Sequence, residues 1–125
     1  MEECLFCKWK DEKEKVILEN ELVFARFDEF AVSKGHILFM TKRHIRDFFE
    51  TTEDERRAIF ELVDEAKKMI DEKYNPDGYN IGMNCGEAAG QSVMHIHVHL
   101  IARYKGDVEN PRGGIRGVIP KNQNY

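Results

Sequence analysis

Three histidines, His95, His97 and His99, stand at alternate positions in the run QSVMHIHVHLIA. A neutral imidazole can attack an electrophile, relay a proton or ligate a metal, and what its second nitrogen meets decides which. On a strand, residues two apart face the same side, so the three rings form a row while Ile96, Val98 and Leu100 fill the other face. At roughly 3.3 Å per residue, neighbouring rings stand about 6–7 Å apart at the backbone and the outer pair about 13 Å. Two of them can share a small ion, but three on a straight strand cannot, so the row is expected to serve more than one centre. Just upstream, CGEAAGQ (85–91) combines Gly86 and Gly90 with small alanines, leaving backbone N–H groups free to form an anion-binding concavity. Ser92 adds a hydroxyl three residues before His95.

A second constellation opens the chain, Cys4-x-x-Cys7. A redox pair of this spacing belongs between a strand and a helix of a βαβ unit, whereas this one precedes a hairpin pattern. Half of a zinc site needs two more ligands, and sulfur with imidazole nitrogen is a usual tetrahedral set. Cys85 is left over, and His36 and His44 complete the histidines.

These side chains need a scaffold. Apolar alternation around Asn20-Glu21 predicts a β-hairpin with strands over 16–19 and 22–28. A turn at Lys34-Gly35 leads to a buried strand over 36–40. Thr52 and Glu55 have the spacing of a capping box, with Glu53 and Asp54 at the positive end of the helix dipole. Ile59, Leu62, Val63, Ala66, Met69, Ile70 and Tyr74 then share one helical face, which NPDG (75–78) ends. Strands follow over 79–84 and 92–102, and a short helix is expected near 46–50. The fold class is α+β: an antiparallel sheet with one long and one short helix. The Gly- and Pro-rich tail, 105–125, reads as irregular until RGVIP.

A length of 125 residues fits one domain spanning 1–125, with the CxxC segment at 1–10. A net charge of −4 argues against a nucleic-acid binder, which needs a basic face. The apolar runs are too short to span a bilayer, and no basic, then apolar, leader is visible, so no membrane partner and a cytoplasmic location are expected. Three cysteines in such a compartment stay reduced.

Several blocks together resemble the histidine triad (HIT) family. AGQSVMHIHVHLIA is similar to its signature, and in FARFDEFAVSKGHILFMTKRHI the spacing of Asp28, His36 and His44 is similar to its second block. The resemblance implies an HIT-like fold and a nucleotide hydrolase or nucleotidyl transferase. Such an enzyme acts at the α-phosphate of dinucleoside polyphosphates or nucleoside phosphoramidates through a covalent nucleotidyl-histidine. Carried onto this chain, His97 is the nucleophile, His99 and Ser92 attend the phosphate and leaving group, and His36 supports the triad. Asp28 accepts from ribose hydroxyls, and Asn84, Gly90 and Gln91 complete the nucleotide site. A zinc-containing subset implies Cys4, Cys7, His44 and His95 as ligands of a structural Zn2+, with no organic cofactor. The resemblance also implies a homodimer acting on an adenosine or purine nucleotide, with Arg112 or Arg116 of the tail available to a neighbouring site. Two other readings stay open: a zinc-dependent hydrolase using His97 and His99 as metal ligands, and a nucleotide-binding module with little turnover.

Overall fold

The computed structural model describes residues 4–125. Residues 1–3 of the CxxC segment therefore lie outside the described residues. Five strands form one antiparallel sheet in the order β1-β2-β3-β5-β4: β1 (Leu18–Glu19), β2 (Val23–Phe27), β3 (His36–Thr41), β4 (Gly78–Gly82) and β5 (His97–Arg103). The hairpin forms with shorter strands than its alternation predicts. The Asn20 side chain accepts from the amides of Leu22 and Val23 and donates to the Ala58 carbonyl, which fixes the turn.

The long helix α2 (Glu53–Tyr74) begins at the expected capping box. The Thr52 hydroxyl accepts from the Glu55 amide at 3.1 Å, and the Glu55 carboxylate accepts from the Thr52 amide at 2.9 Å. It ends at Asn75, whose φ of 50° is the left-handed stop that Asn tolerates. Ile59, Leu62, Val63, Ala66 and Ile70 bury one face against Val23, Ala25, Ile37, Phe39, Val98 and Leu100 of the sheet. Each Val, Leu, Ile or Phe among them contributes about 1.5–3 kcal/mol when fully buried. Gly35, at φ 92°, is needed where β3 starts, because a Cβ there would lie 2.9 Å from Ile70 and 3.1 Å from Ala102.

The short helix differs from its expected place. It is α1 (Leu5–Asp11), formed by the CxxC segment itself, while the 46–50 region holds only a 3₁₀ turn, Phe48–Glu50. Seven residues without a side-chain cap cannot sustain a helix alone, so tertiary packing makes this one. Phe6 and Trp9 turn inward onto Phe24, Leu38 and Met40, the sheet face opposite α2. Arg26, only 2% exposed, stacks 3.9 Å over Trp9 and pairs with Glu12 beyond the helix end and with Glu29.

The tail is more ordered than its composition predicts, with 3₁₀ turns at Gly114–Val118 and Pro120–Asn122. Arg112 and Arg116 stack over Tyr125, and Arg116 donates to the carbonyls of Asn122 and Gln123. Among the described residues, no helix is long and apolar enough to cross a membrane.

Candidate functional site

The α1 face of the sheet carries the chemistry. Cross-strand pairing sets Met40 opposite His97 and Leu38 opposite His99, so both imidazoles share a face with Phe24, Leu38 and Met40. His36, two residues before Leu38, joins them. His95 does not stand in the ladder, which begins at His97. Its neighbour Ile96 instead donates to the Ile45 carbonyl at 2.9 Å, and this bend turns His95 away from the row. The row divides into two centres, as its spacing requires.

Hydrogen bonds assign each nitrogen. His97 Nδ1–H donates to the His95 carbonyl at 3.0 Å, which leaves Nε2 with a free lone pair. Val32 N–H donates to His36 Nδ1 at 3.1 Å, so the proton of neutral His36 sits on Nε2, which donates to His99 Nδ1 at 2.9 Å. His99 in turn keeps its proton on Nε2. An Asp28 carboxylate oxygen lies 3.5 Å from His36 Nε2. Burial lowers the pKa of His36, opposed by Asp28, and that of His97. Burial, reinforced by His97 and His36, pushes His99 down to about 4. The three rings are therefore neutral near pH 7, the form a nucleophile and its supports need.

The second centre gathers Cys4, Cys7, His44 and His95, whose ligand atoms all lie within 4.8 Å of one another. His95, fully buried, donates from Nε2–H to the Thr41 carbonyl at 2.7 Å. Its bare Nδ1 faces Cys4 Sγ at 3.3 Å, Cys7 Sγ at 3.6 Å and His44 Nδ1 at 3.2 Å. Tetrahedral zinc with bonds of about 2.3 Å to sulfur and 2.0–2.1 Å to nitrogen separates its ligands by about 3.3–3.8 Å. Two sulfurs, two imidazole nitrogens and these separations fit that ion. A carbonyl partner behind a ligating imidazole is the usual way its orientation is fixed. Burial and the Cys4 thiol push the Cys7 thiol up, and a bound cation would reverse this. The His44 loop is anchored to α2 by its neighbour Arg43, which donates to both Glu55 carboxylate oxygens, at 3.2 and 2.8 Å.

The loop before the histidines is held from inside. Gln91 is buried, its Oε1 accepting from the Gly86 amide at 2.8 Å and its Nε2 donating to the Arg46 and Val93 carbonyls. Its side chain is thus consumed in shaping the loop and is not free for a ligand. Gly90, at φ 93°, lies beside the Asn84 side chain, and Ser92 is exposed next to them. Asp28 is 12% exposed and borders a cleft of about 410 Å³ lined also by Ile17, Arg26, Phe27 and Glu29.

Phe6 escaped the sequence reading. It is 3% exposed and meets His97 edge-on with ring centroids 4.8 Å apart. The available signal is Phe6 and Trp9, an apolar i, i+3 pair interleaved with Cys4 and Cys7 and extending past the motif.

Comparison with known proteins adds kinship. The HIT domain model matches residues 10–106. Protein hit of Bacillus subtilis is 40% identical over 109 residues, 85% of this chain and 75% of that relative. A bis(5'-adenosyl)-triphosphatase of Dictyostelium discoideum is 30% identical over 105 residues, 84% of this chain and 70% of that relative. Among solved structures, an HIT family protein of Bacillus anthracis aligns with a TM-score of 0.79 and 39% identity, over 85% of this chain and 77% of that one. A Zn-bound histidine triad family protein of Mycobacterium smegmatis aligns with a TM-score of 0.76 and 29% identity, over 86% of this chain and 79% of that one.

Proposed function

The chain belongs to the HIT domain family, and from that premise we propose that it cleaves adenosine-type nucleotide conjugates at the α-phosphate through a covalent nucleotidyl-His97 intermediate. One observation carries this reading: the His95 carbonyl accepts a hydrogen bond from His97 Nδ1–H and leaves Nε2 bare. Nε2 attacks phosphorus, a P–N bond forms, and the bond to the leaving oxygen or nitrogen breaks. The positive charge arising on the ring is shared with the carbonyl through Nδ1–H. His99 Nε2–H lies on the same face to donate to a phosphate or leaving-group oxygen, with His36 behind it fixing its tautomer. Water then attacks the same phosphorus and gives up a proton to solvent, the P–N bond breaks with its electron pair returning to Nε2, and the nucleotide leaves neutral His97 behind.

Ser92 and the loop amides beside Gly90 steady the phosphate oxygens, which in typical sites contributes a few kcal/mol. Asn84 contacts phosphate or ribose, Asp28 accepts from ribose hydroxyls, and the adjoining cleft has room for a base. Gln91 serves this site only through the loop it shapes. Cys4, Cys7, His44 and His95 hold a structural zinc, which ties the start of the chain to the catalytic strand. The Dictyostelium relative's name supports the dinucleoside polyphosphate class, and phosphoramidates present the same α-phosphate. We take the chain as one domain acting in the cytoplasm as a homodimer. The free edge of β4, flanked by exposed Ile81, Val108 and Ile115, supplies an apolar face for the partner.

The test follows product formation from adenosine phosphoramidate and diadenosine tetraphosphate, with EDTA present, for wild type and His97→Ala. AMP that disappears in the variant is the expected result. Loss of turnover within mixing time of EDTA, with the fold intact, would replace this mechanism with metal hydrolysis at His97 and His99. Saturable nucleotide binding without product would leave a binding module.

A further inference from the structure

His95 faces both centres. Its ring belongs to the metal-ligand cluster, while its main-chain carbonyl accepts from His97 Nδ1–H. The ring is fixed at both nitrogens, by Thr41 O and by the cluster, so the carbonyl attached to it has little freedom. Phe6 makes a second connection. It lies between the two cysteines on α1, edge-on to His97 at 4.8 Å and to His95 at 6.0 Å, so the cluster that holds the cysteines also holds Phe6 against the nucleophile. Trp9, one turn on, packs 5.0 Å from Phe6 and is capped by Arg26. A helix this short has no intrinsic reason to persist if its ligands are released.

We propose that Phe6 and His95 are positioning residues for His97, and that the metal-ligand cluster and α1 act as one clamp on the tautomer and orientation of its imidazole. The functional sense of the clamp rests on His97 being the nucleophile, but the coupling itself is a property of the folded protein. The cluster thereby does more than hold the start of the chain. Through His95 it keeps the proton on Nδ1, and through Phe6 it limits rotation of the ring, so Nε2 stays presented to phosphorus.

The experiment records long-range proton–nitrogen spectra of 15N-histidine-labelled full-length protein, first zinc-loaded and then after chelation under reducing conditions. Emission of Trp9, the sole tryptophan, is followed in parallel. The loaded protein is expected to show His97 with its proton on Nδ1 alone. Chelation should produce a mixture of both tautomers and move Trp9 emission to longer wavelength, and added zinc should reverse both. Phe6→Leu, which keeps most of the volume and the metal, should broaden or mix the His97 signals and lower kcat about tenfold with little change in KM. A pure Nδ1–H signature in the chelated protein or in Phe6→Leu would overturn the proposal. So would collapse of core methyl dispersion on chelation, because the metal would then hold the whole fold and not the tautomer. A tautomer shift as expected, in a protein that turns over no nucleotide, would retain the clamp and sink the proposed activity.

Discussion

His36 Nε2 and His99 Nδ1 meet at 2.9 Å, and the direction of that bond is set from behind by Val32, whose amide donates to His36 Nδ1. A proton order runs from the backbone through two imidazoles to Nε2 of His99. Protonating His99 at Nδ1 would put two N–H groups against each other and break the order.

That relationship fixes a pH profile. Burial holds His99 down to about 4 against an ordinary 6.5, so His99 stays neutral well into acid, and burial lowers His36 too. Through His99, turnover is expected to change little near neutral pH and to fall as pH drops toward about 4. The linkage to stability has a definite sign. Between about 4 and 6.5 the unfolded chain binds the His99 proton and the native protein does not, so stability rises with pH across that window. The slope reaches at most about 1.4 kcal/mol per pH unit for the one group. Urea titrations from pH 4 to 8 on wild type and His99→Asn would test this, and identical slopes would refute it.

Removing His36 should cost less than removing His97. His97→Ala deletes the atom proposed to attack and is expected to lower turnover by about 10³–10⁶-fold. His36→Ala leaves that atom but frees the His99 ring, for which a loss of about 10–100-fold is expected, the scale at which supporting partners act. Single-turnover rates decide between them. Equal losses would mean that His36 touches the reacting atoms, a role its two occupied ring nitrogens argue against.

The long helix is readable because Thr52, Glu55 and the apolar stripe are local signals that agree, and α2 forms where they predict it. The alternation of His97 and His99 is equally local. Where the ladder begins is not, since the Ile96 bond to the Ile45 carbonyl depends on a loop 51 positions away, and alternation runs on through the bend at His95. The helix of α1 was invisible for the same reason. Its sequence has no side-chain cap, and Phe6 and Trp9 gain their burial only against strands that come later. The grouping of Cys4, Cys7, His44 and His95 came from resemblance, and the fold brings these distant residues within ligand range. Gln91 stands in the loop motif, but two bonds within its own loop, to Gly86 and Val93, and one distant bond, to Arg46, give its side chain the task of shaping that loop.

The helix cap carries a second load. Glu55 closes the capping box and also receives Arg43, whose side chain anchors the loop leading to His44. Thr52→Ala should cost about 1 kcal/mol of stability and leave metal content unchanged. Glu55→Gln, which keeps shape but removes the charge, should weaken the Arg43 bonds and loosen His44 as well. It should show a similar stability loss together with faster release of zinc to a chromogenic chelator. Equal release rates in the two variants would show that the cap and the metal loop are independent.

Metal content gives the last prediction. Two thiols and two imidazoles at these separations should bind one zinc per chain. Cys4→Ser removes a soft ligand and is expected to lower the bound fraction and the Tm together, because a site formed only in the folded protein stabilises it by mass action. Cys85→Ser, outside the cluster, should change neither. Elemental analysis of the purified variants, paired with thermal unfolding at several free zinc concentrations, separates the cases. The wild-type Tm should climb with zinc and the Cys4→Ser Tm should climb less. A wild-type Tm indifferent to zinc would mean that the four ligand atoms come together without a metal to hold. The close approach of His44 Nδ1 to His95 Nδ1, 3.2 Å, would then need a shared proton to explain it.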